Sequence, residues 1–364
     1  LVSFQVNAAK ILSAILNMSF SMKKGSSGIP IALMMESSKS KKLDVIYFRT
    51  DSNADSEMDP QMKYLALEEA LKSTFTPRGR TTLNPKDIDK LQEAVEQDER
   101  PKDQRLIKVY DKAMELIDSF YSKSIHAPLD AMIHPLPYWD KKGGENPRVY
   151  VFGQSGSGKS TFVSNFLCEG WQLLNKSKDI NIYLISRKPE DKAFDSNPNV
   201  TRIPLESFTY QEEDEYEVDE ETGKKKKKKK GKVKSRWSID DFEDGSCVIF
   251  DDIDTLQGEL KKAVWGLRDE LLTMGRSKGI CITSIAHIAM GNGMTKISVN
   301  ESNMIVWFPR GVNWIHLNRL LRQYYAISDQ TMKRIQSIKG SRWICLLRTV
   351  PVIILTEDQI FLGC

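Results

Sequence analysis

The sequence predicts an α/β fold built on a mostly parallel sheet, and three observations carry that prediction. Short apolar runs alternate with amphipathic stretches: "VYVFG" from Val149, "INIYLIS" (180–186), "SCVIFDD" (246–252), "GICITSIAH" (279–287) and "NMIVWFP" (303–309). Continuous apolar runs of this length suit strands buried on both faces, with helices covering the sheet above and below. The loop "GQSGSGKST" (153–161) joins the first run to the helical stretch "FVSNFL", and "CVIFDDID" (247–254) ends an apolar run in carboxylates.

Ahead of the sheet, residues 1–125 read as a largely helical region of unassigned role. "AAKILSAILNMSFSM" suits one amphipathic helix, ended by "KKGSSG", while "LDVIYFRTD" (43–51) alternates like a strand and "DSNADSEMDP" is a polar loop. Between 83 and 123, Leu106, Val109, Tyr110, Ala113, Leu116, Ile117, Phe120 and Tyr121 recur at three- and four-residue steps, so they mark one helical face. Pro101 separates two helices there. Residues 126–147 carry four prolines and two glycines and read as the loop leading into the main domain, 148–364.

One segment breaks the alternation. "QEEDEYEVDEETGKKKKKKKGKVKSR" (211–236) is an acidic block followed by a lysine block. Neither half can bury a core, so it is expected to be a solvated, disordered insertion. Its lysines could touch DNA phosphates, although the acidic block beside them offsets their charge.

Composition narrows the class. An apolar fraction of 40%, a charged fraction of 28% and a net charge of +4 describe an ordinary globular chain, and the charge alone does not argue for nucleic acid. The cysteines Cys168, Cys247, Cys281, Cys345 and Cys364 are scattered and form no CxxC, which argues against a disulfide framework or a zinc site. No apolar stretch is long enough for a spanning helix, so no membrane role is expected. No leader segment is legible, although the first residue is Leu rather than Met.

Gly153, Gly158, Lys159 and Ser160 satisfy GxxxxGK[ST], and Gly156 adds a further glycine. A backbone that curls round a phosphate must aim its N–H groups inward, and side chains would obstruct it. The following helix presents its positive end to the same anion. Residues Gly153, Gln154, Ser155, Gly156, Ser157, Gly158, Lys159, Ser160 and Thr161 are therefore expected to bind ATP. Lys159 would reach the β- and γ-phosphates, and the Ser160 hydroxyl would ligate Mg²⁺.

The acidic run supplies the other half of the chemistry. A buried strand delivers Asp251 to the carboxyl edge of the sheet, where open α/β sheets bind ligands. Asp251 is expected to hold Mg²⁺ and Asp252 to polarise the attacking water. Asp254 is a weaker candidate, which also reads as a helix cap. In "RDELLTMGRSKGICITSIAHIAMGNG" (268–293), His287 ends the next strand and would stand beside the acids, near the γ-phosphate. Arg276 lies at the other end of that strand, from which it would reach a neighbour's nucleotide in a ring. Both also have plain readings: Arg276 as a helix C-terminal charge and His287 as a structural histidine.

Taken together, "FGQSGSGKST", "VIFDDID" and "GRSKGICITSIAHIA…ISVNESNMIVWFP" resemble the FtsK–HerA superfamily of DNA-pumping ATPases, and within it the genome-packaging ATPases of large DNA viruses, the poxvirus and giant-virus group. The Asp251–Asp252 pair matches that group, where cellular FtsK has Asp-Glu. The superfamily's arginine finger maps onto Arg276. Its strand-end polar sensor, usually Gln, maps onto His287, which departs from the pattern. The resemblance covers about 145–310. It implies a RecA-like core, a ring-shaped homo-oligomer with ATP at subunit interfaces, double-stranded DNA as the moved substrate, capsid proteins as partners, and a place in the virion or a viral factory of the host cytoplasm. The basic helical segment 310–342 could then offer Arg319, Arg322, Lys333, Arg334 and Lys339 to phosphates, although a solvated helix face is the favoured reading of the same residues. A RecA-like helicase shares the same parts, and a virion assembly protein stabilised by nucleotide is the non-enzymatic alternative.

Overall fold

The computed structural model describes residues 18–22, 28–36, 42–50, 67, 70–71, 83–97, 99–120, 124–138, 146–171, 180–211, 215–218, 225–229, 233–290 and 295–363. The chain divides into two compact units, residues 1–30 with 42–126 and residues 31–41 with 127–364. Before the main sheet it runs β1 (Met18–Ser21), β2 (Ile29–Glu36), β3 (Lys42–Thr50), α1 (Pro85–Gln97), α2 (Gln104–Phe120), β4 (Ser124–His126) and β5 (Ala131–Pro135).

In the first unit, β1 pairs antiparallel with β3, and Phe20 and Phe48 meet with ring centroids 6.0 Å apart. Helix α1 starts where its sequence provides a start. Asn84 Oδ1 accepts from the Asp87 N–H at 2.9 Å, and Pro85, which has no N–H to satisfy, opens the first turn. Helices α1 and α2 bury Leu91, Val95, Leu106, Val109, Tyr110 and Ala113 against one another. The strands qualify the expectation of a largely helical region. The helix expected from "AAKILSAILNMSFSM" lies mostly outside the described residues, where only its end is seen, as strand β1.

In the second unit, β2 pairs antiparallel with β5 over Ala32–Glu36, so the proline-rich stretch before the main sheet holds a strand. The chain continues β6 (Arg148–Phe152), α3 (Lys159–Phe162, followed by a π-helical stretch Val163–Cys168), β7 (Ile182–Ser186), α4 (Lys192–Asp195), β8 (Val200–Arg202), β9 (Thr209–Gln211), β10 (Glu215–Val218), β11 (Lys225–Lys229), β12 (Val233–Ser235) and β13 (Cys247–Asp251). Then follow α5 (Gly258–Met274), β14 (Cys281–Ala286), α6 (Thr295–Glu301), β15 (Met304–Trp307), α7 (Trp314–Tyr325), α8 (Asp329–Ser337), β16 (Ile344–Leu347), β17 (Val352–Leu355) and β18 (Gln359–Gly363).

Within this unit the main sheet runs β18-β17-β16-β15-β6-β14-β13-β7-β8. Strands β15, β6, β14, β13, β7 and β8 are all parallel, and β16, β17 and β18 close one side antiparallel. Every residue of β13, β14 and β15 is buried, including Asp251, Thr283 and Ser284, as strands covered on both faces require. Ile282 and Ala286 are four residues apart on β14 and so share a face. Ile282 packs with α5 residues Val264, Leu267 and Leu271; Ala286 packs with Leu317, Leu320 and Leu321 of α7 and Met332 of α8. Helices α5, α7 and α8 therefore cover one face.

The charged insertion departs from the expectation of disorder in its described part. Strand β10 pairs antiparallel with β11, and β9 with β12. The register sets Glu217 against Lys226 and Glu215 against Lys229. Among the described residues, no helix is long and apolar enough to cross a membrane.

Leu320 is fully buried in the α7 interface. Leu320→Ala is expected to destabilise this unit by about 2–5 kcal/mol. A urea titration would read this as a lower midpoint with an unchanged slope.

Candidate functional site

The phosphate loop sits at the carboxyl end of β6. Gly156 and Gly158 have φ of 75° and 99°, a left-handed region costly for residues with a β-carbon. Gly153 is required for a different reason: a β-carbon there would lie 3.0 Å from Ser157 Oγ and 3.2 Å from Phe308. Gln154, Ser155 and Gly156 are exposed at the tip, Ser157 and Ser160 are half-buried, and Thr161 faces out on α3. Lys159 is 6% exposed, and its Nζ donates to the Gly153 and Gln154 carbonyls at 2.9 Å each. Burial lowers its pKa, while the charges of Asp252 and Asp251 act in the opposite direction.

The acidic residues approach from two strands away. Strand β14 lies between β6 and β13, and all three end at one edge. Asp251, the last residue of β13, is fully buried. Its Oδ2 accepts from Ser186 Oγ at 3.1 Å, and its Oδ1 is buried with no hydrogen-bond partner. Burial pushes the Asp251 carboxyl up, the charge of Asp252 adds to that, and Lys188 and Ser186 pull it down. The next residue, Asp252, has φ 54° and ψ 25°. This left-handed conformation is uncommon for a residue other than glycine, although Asp is among those that tolerate it. The bend carries the Asp252 carboxylate to His287, with Nε2 2.8 Å from Oδ1, and to Lys188, with Nζ 3.0 Å from Oδ2.

Asp254 does not cap the next helix; the residue before α5 is Gln257, which makes no side-chain cap. Asp254 Oδ2 instead accepts from the His287 N–H at 3.3 Å and ties the acidic loop to the end of β14. Trp265 fixes the same loop from α5, donating from Nε1 to the Ile253 carbonyl at 3.0 Å.

Oxygen donors of the kind Mg²⁺ takes are present: the Ser160 hydroxyl and the buried, unpartnered Asp251 Oδ1. Asp252, Asp254 and His287 also bring one donor atom each within 4.8 Å of one another, a second set able to hold a cation.

The edge thus gathers the phosphate loop, Asp251, Asp252 and His287, and Arg276 does not join them. It lies in the turn Gly275–Lys278 before β14, where its carbonyl accepts from Asn146 Nδ2 at 3.3 Å. The six residues of β14 separate it from His287, roughly 20 Å at the rise of an extended strand. The basic helices are partly engaged within the fold. Arg322 pairs with Asp329, Arg319 donates to Gln323, and the Arg334 guanidinium lies 3.6 Å from the centre of the Phe361 ring.

Three contributors escaped the sequence reading. Ser186 and Lys188 follow the apolar run of β7 and reach the acids because β7 neighbours β13, with Ser186 in register with Asp251. "SRK" directly after an apolar strand was the only available sign. Phe308 is the third, packing beneath Gly153 from the end of β15.

No protein-family model matches the chain. Its sequence is similar to uncharacterized protein V3 of Sputnik virophage, 26% identical over 213 residues that cover 58% of this chain and 74% of the relative. Among solved structures it is similar to the genome packaging NTPase B204 of Sulfolobus turreted icosahedral virus 2. The complex with ATP-gammaS has 11% identity and a TM-score of 0.32, covering 57% of this chain and 95% of that one. The AMPPCP complex has 14% identity and a TM-score of 0.31, covering 57% and 95%. EssC ATPases 2 and 3 from Geobacillus thermodenitrificans have 12% identity and a TM-score of 0.33, covering 63% of this chain and 42% of that one. Overlap of that extent leaves the activity of this chain to be argued from its own site.

Proposed function

We propose that this chain is an ATPase that moves double-stranded DNA during packaging of a viral genome. The observation that carries the reading is the meeting, at one sheet edge, of a glycine loop with a buried lysine and a strand-end carboxylate pair joined to His287. DNA as the moved substrate rests on the ordered motifs that resemble the packaging ATPases. The relative in Sputnik virophage supports a virus-associated setting, in the virion or a viral factory of the host cytoplasm, with capsid proteins as partners.

Each role follows from position. The loop N–H groups of 153–161 hold the phosphates, and Lys159 exchanges its loop carbonyls for the β- and γ-phosphates. Ser160 and Asp251 hold Mg²⁺, which when bound neutralises charge on the phosphate oxygens. Asp252 polarises the attacking water. His287 orients Asp252 and stands where it can register the γ-phosphate. Arg276, on the far edge, is suited to reach a neighbour's nucleotide in a ring-shaped homo-oligomer.

Lys159→Ala should abolish turnover. Asp252→Asn should retain nucleotide binding, measured with a fluorescent ATP analogue, while turnover falls by about 10²–10⁴-fold. Normal turnover in Asp252→Asn would remove the water-polarising role. Arg276→Ala should be inactive alone and should poison wild-type subunits mixed with it, more than in proportion to its share. Strictly proportional loss would remove the trans role. Long double-stranded DNA should raise the ATPase rate of the wild type, and the gain should shrink steeply with salt as phosphate contacts weaken. Hydrolysis indifferent to DNA would exclude it as the moved substrate.

A further inference from the structure

We infer that Lys188 is a built-in competitor of the divalent cation: its ammonium and Mg²⁺ are alternative partners of the Asp251–Asp252 pair. This rests on the reading of Asp251 as a metal ligand. The Lys188 Nζ lies 3.0 Å from Asp252 Oδ2 and 3.7 Å from Asp251 Oδ2, so one cation spans both acids. The Asp251 and Asp252 side chains are 1% and 11% exposed. Two adjacent carboxylates so far from water demand a positive charge, and their mutual repulsion falls when one arrives. A divalent ion drawn to the Asp251 carboxylate would meet the lysine there, and like charges a few ångströms apart in a poorly hydrated pocket repel strongly.

The local fold fixes the lysine's backbone and leaves its head free to move. Ser186 Oγ, which donates to Asp251, also accepts from the Lys188 N–H at 3.2 Å, turning the chain back over the edge directly after β7. The Lys188 carbonyl accepts from Arg202 at 2.6 Å, and Arg202 is itself paired with Asp195 at 2.8 Å. The side chain, by contrast, is 45% exposed. A second seat is already in place: Asp191 Oδ2 lies 3.5 Å from the ammonium, on a residue held by its own cap on α4. Lys188 can therefore give up Asp251 and Asp252 to a metal while keeping Asp191. Asp252 is thereby held by the lysine until a metal takes Asp251 and displaces the ammonium, and only then is it released toward water.

The test is Mn²⁺ affinity of the full chain without nucleotide, measured by electron paramagnetic resonance. Lys188→Met should tighten Mn²⁺ binding by about tenfold. Lys188→Gln should do the same and serves if the Met variant folds poorly, and Lys188→Arg should stay near wild type. Adding Asp251→Asn to Lys188→Met should remove the gain. If neither neutral variant binds Mn²⁺ more tightly while Asp251→Asn weakens it, the inference fails and the metal role of Asp251 stands. If the gain survives Asp251→Asn, the ion sits elsewhere, and both the inference and the reading beneath it fall.

Discussion

The parallel register of β6, β14, β13 and β7 is the constraint on which the rest depends. In a parallel sheet every strand leaves at the same edge, so residues distant in sequence arrive together. Here the ladder sets Ala286 beside Phe152 and Asp251 between Ile285 and Ser186. The phosphate loop, His287, Asp252 and Lys188 each start one or two residues beyond those partners. A slip of one residue in β13 would turn Asp251 to the opposite face and leave a carboxylate facing a helix. The mainly apolar strands guard against it only weakly, since both faces are buried. The polar ends guard it better: Ser186 binds Asp251, and the Asp254 carboxylate binds the His287 N–H.

Charge balance at that edge follows from burial. Asp251 and Asp252 are removed from water, and the fold answers with lysines from two directions. Lys159 is turned onto loop carbonyls, while Lys188 bridges the acids. The left-handed backbone at Asp252 costs about 1–3 kcal/mol for strained conformations of this kind. What holds it is visible: Trp265 grips the Ile253 carbonyl, and Thr255 Oγ1 donates to the Asp252 carbonyl at 2.8 Å. The bend lets Asp252 face His287 while Asp251 stays in the sheet.

Much of this was legible in the sequence because its chemistry is local. A glycine loop after an apolar run, and an apolar run ending in carboxylates, state their structures within ten residues. The position of His287 followed from its place at the end of the next strand. Lys188 was not legible, because its partners are fixed by strand order, and no local pattern records that β7 lies against β13. The partners of the basic helices are hidden from the sequence for a related reason. Arg334 looks free for phosphate in sequence, yet it stacks on Phe361, 27 positions away. The charged insertion was judged by its inability to bury a core, whereas the paired strands there require only backbone partners.

Strand β14 gives the proposed motor its geometry. It is hydrogen-bonded to both the phosphate-loop strand and the acid strand. Its carboxyl end presents His287 to Asp252, and its amino end carries the turn with Arg276. Under the proposed reading, a change at the γ-phosphate acts on His287, and the same buried strand ends at the face that meets the neighbouring subunit's nucleotide. Six fully buried residues transmit displacement poorly as bending but well as a rigid shift, because close-packed interiors resist compression. Sequential firing round a ring then needs no separate relay. It needs only that β14 move as one piece with β6 and β13, to which its ladders tie it on both sides.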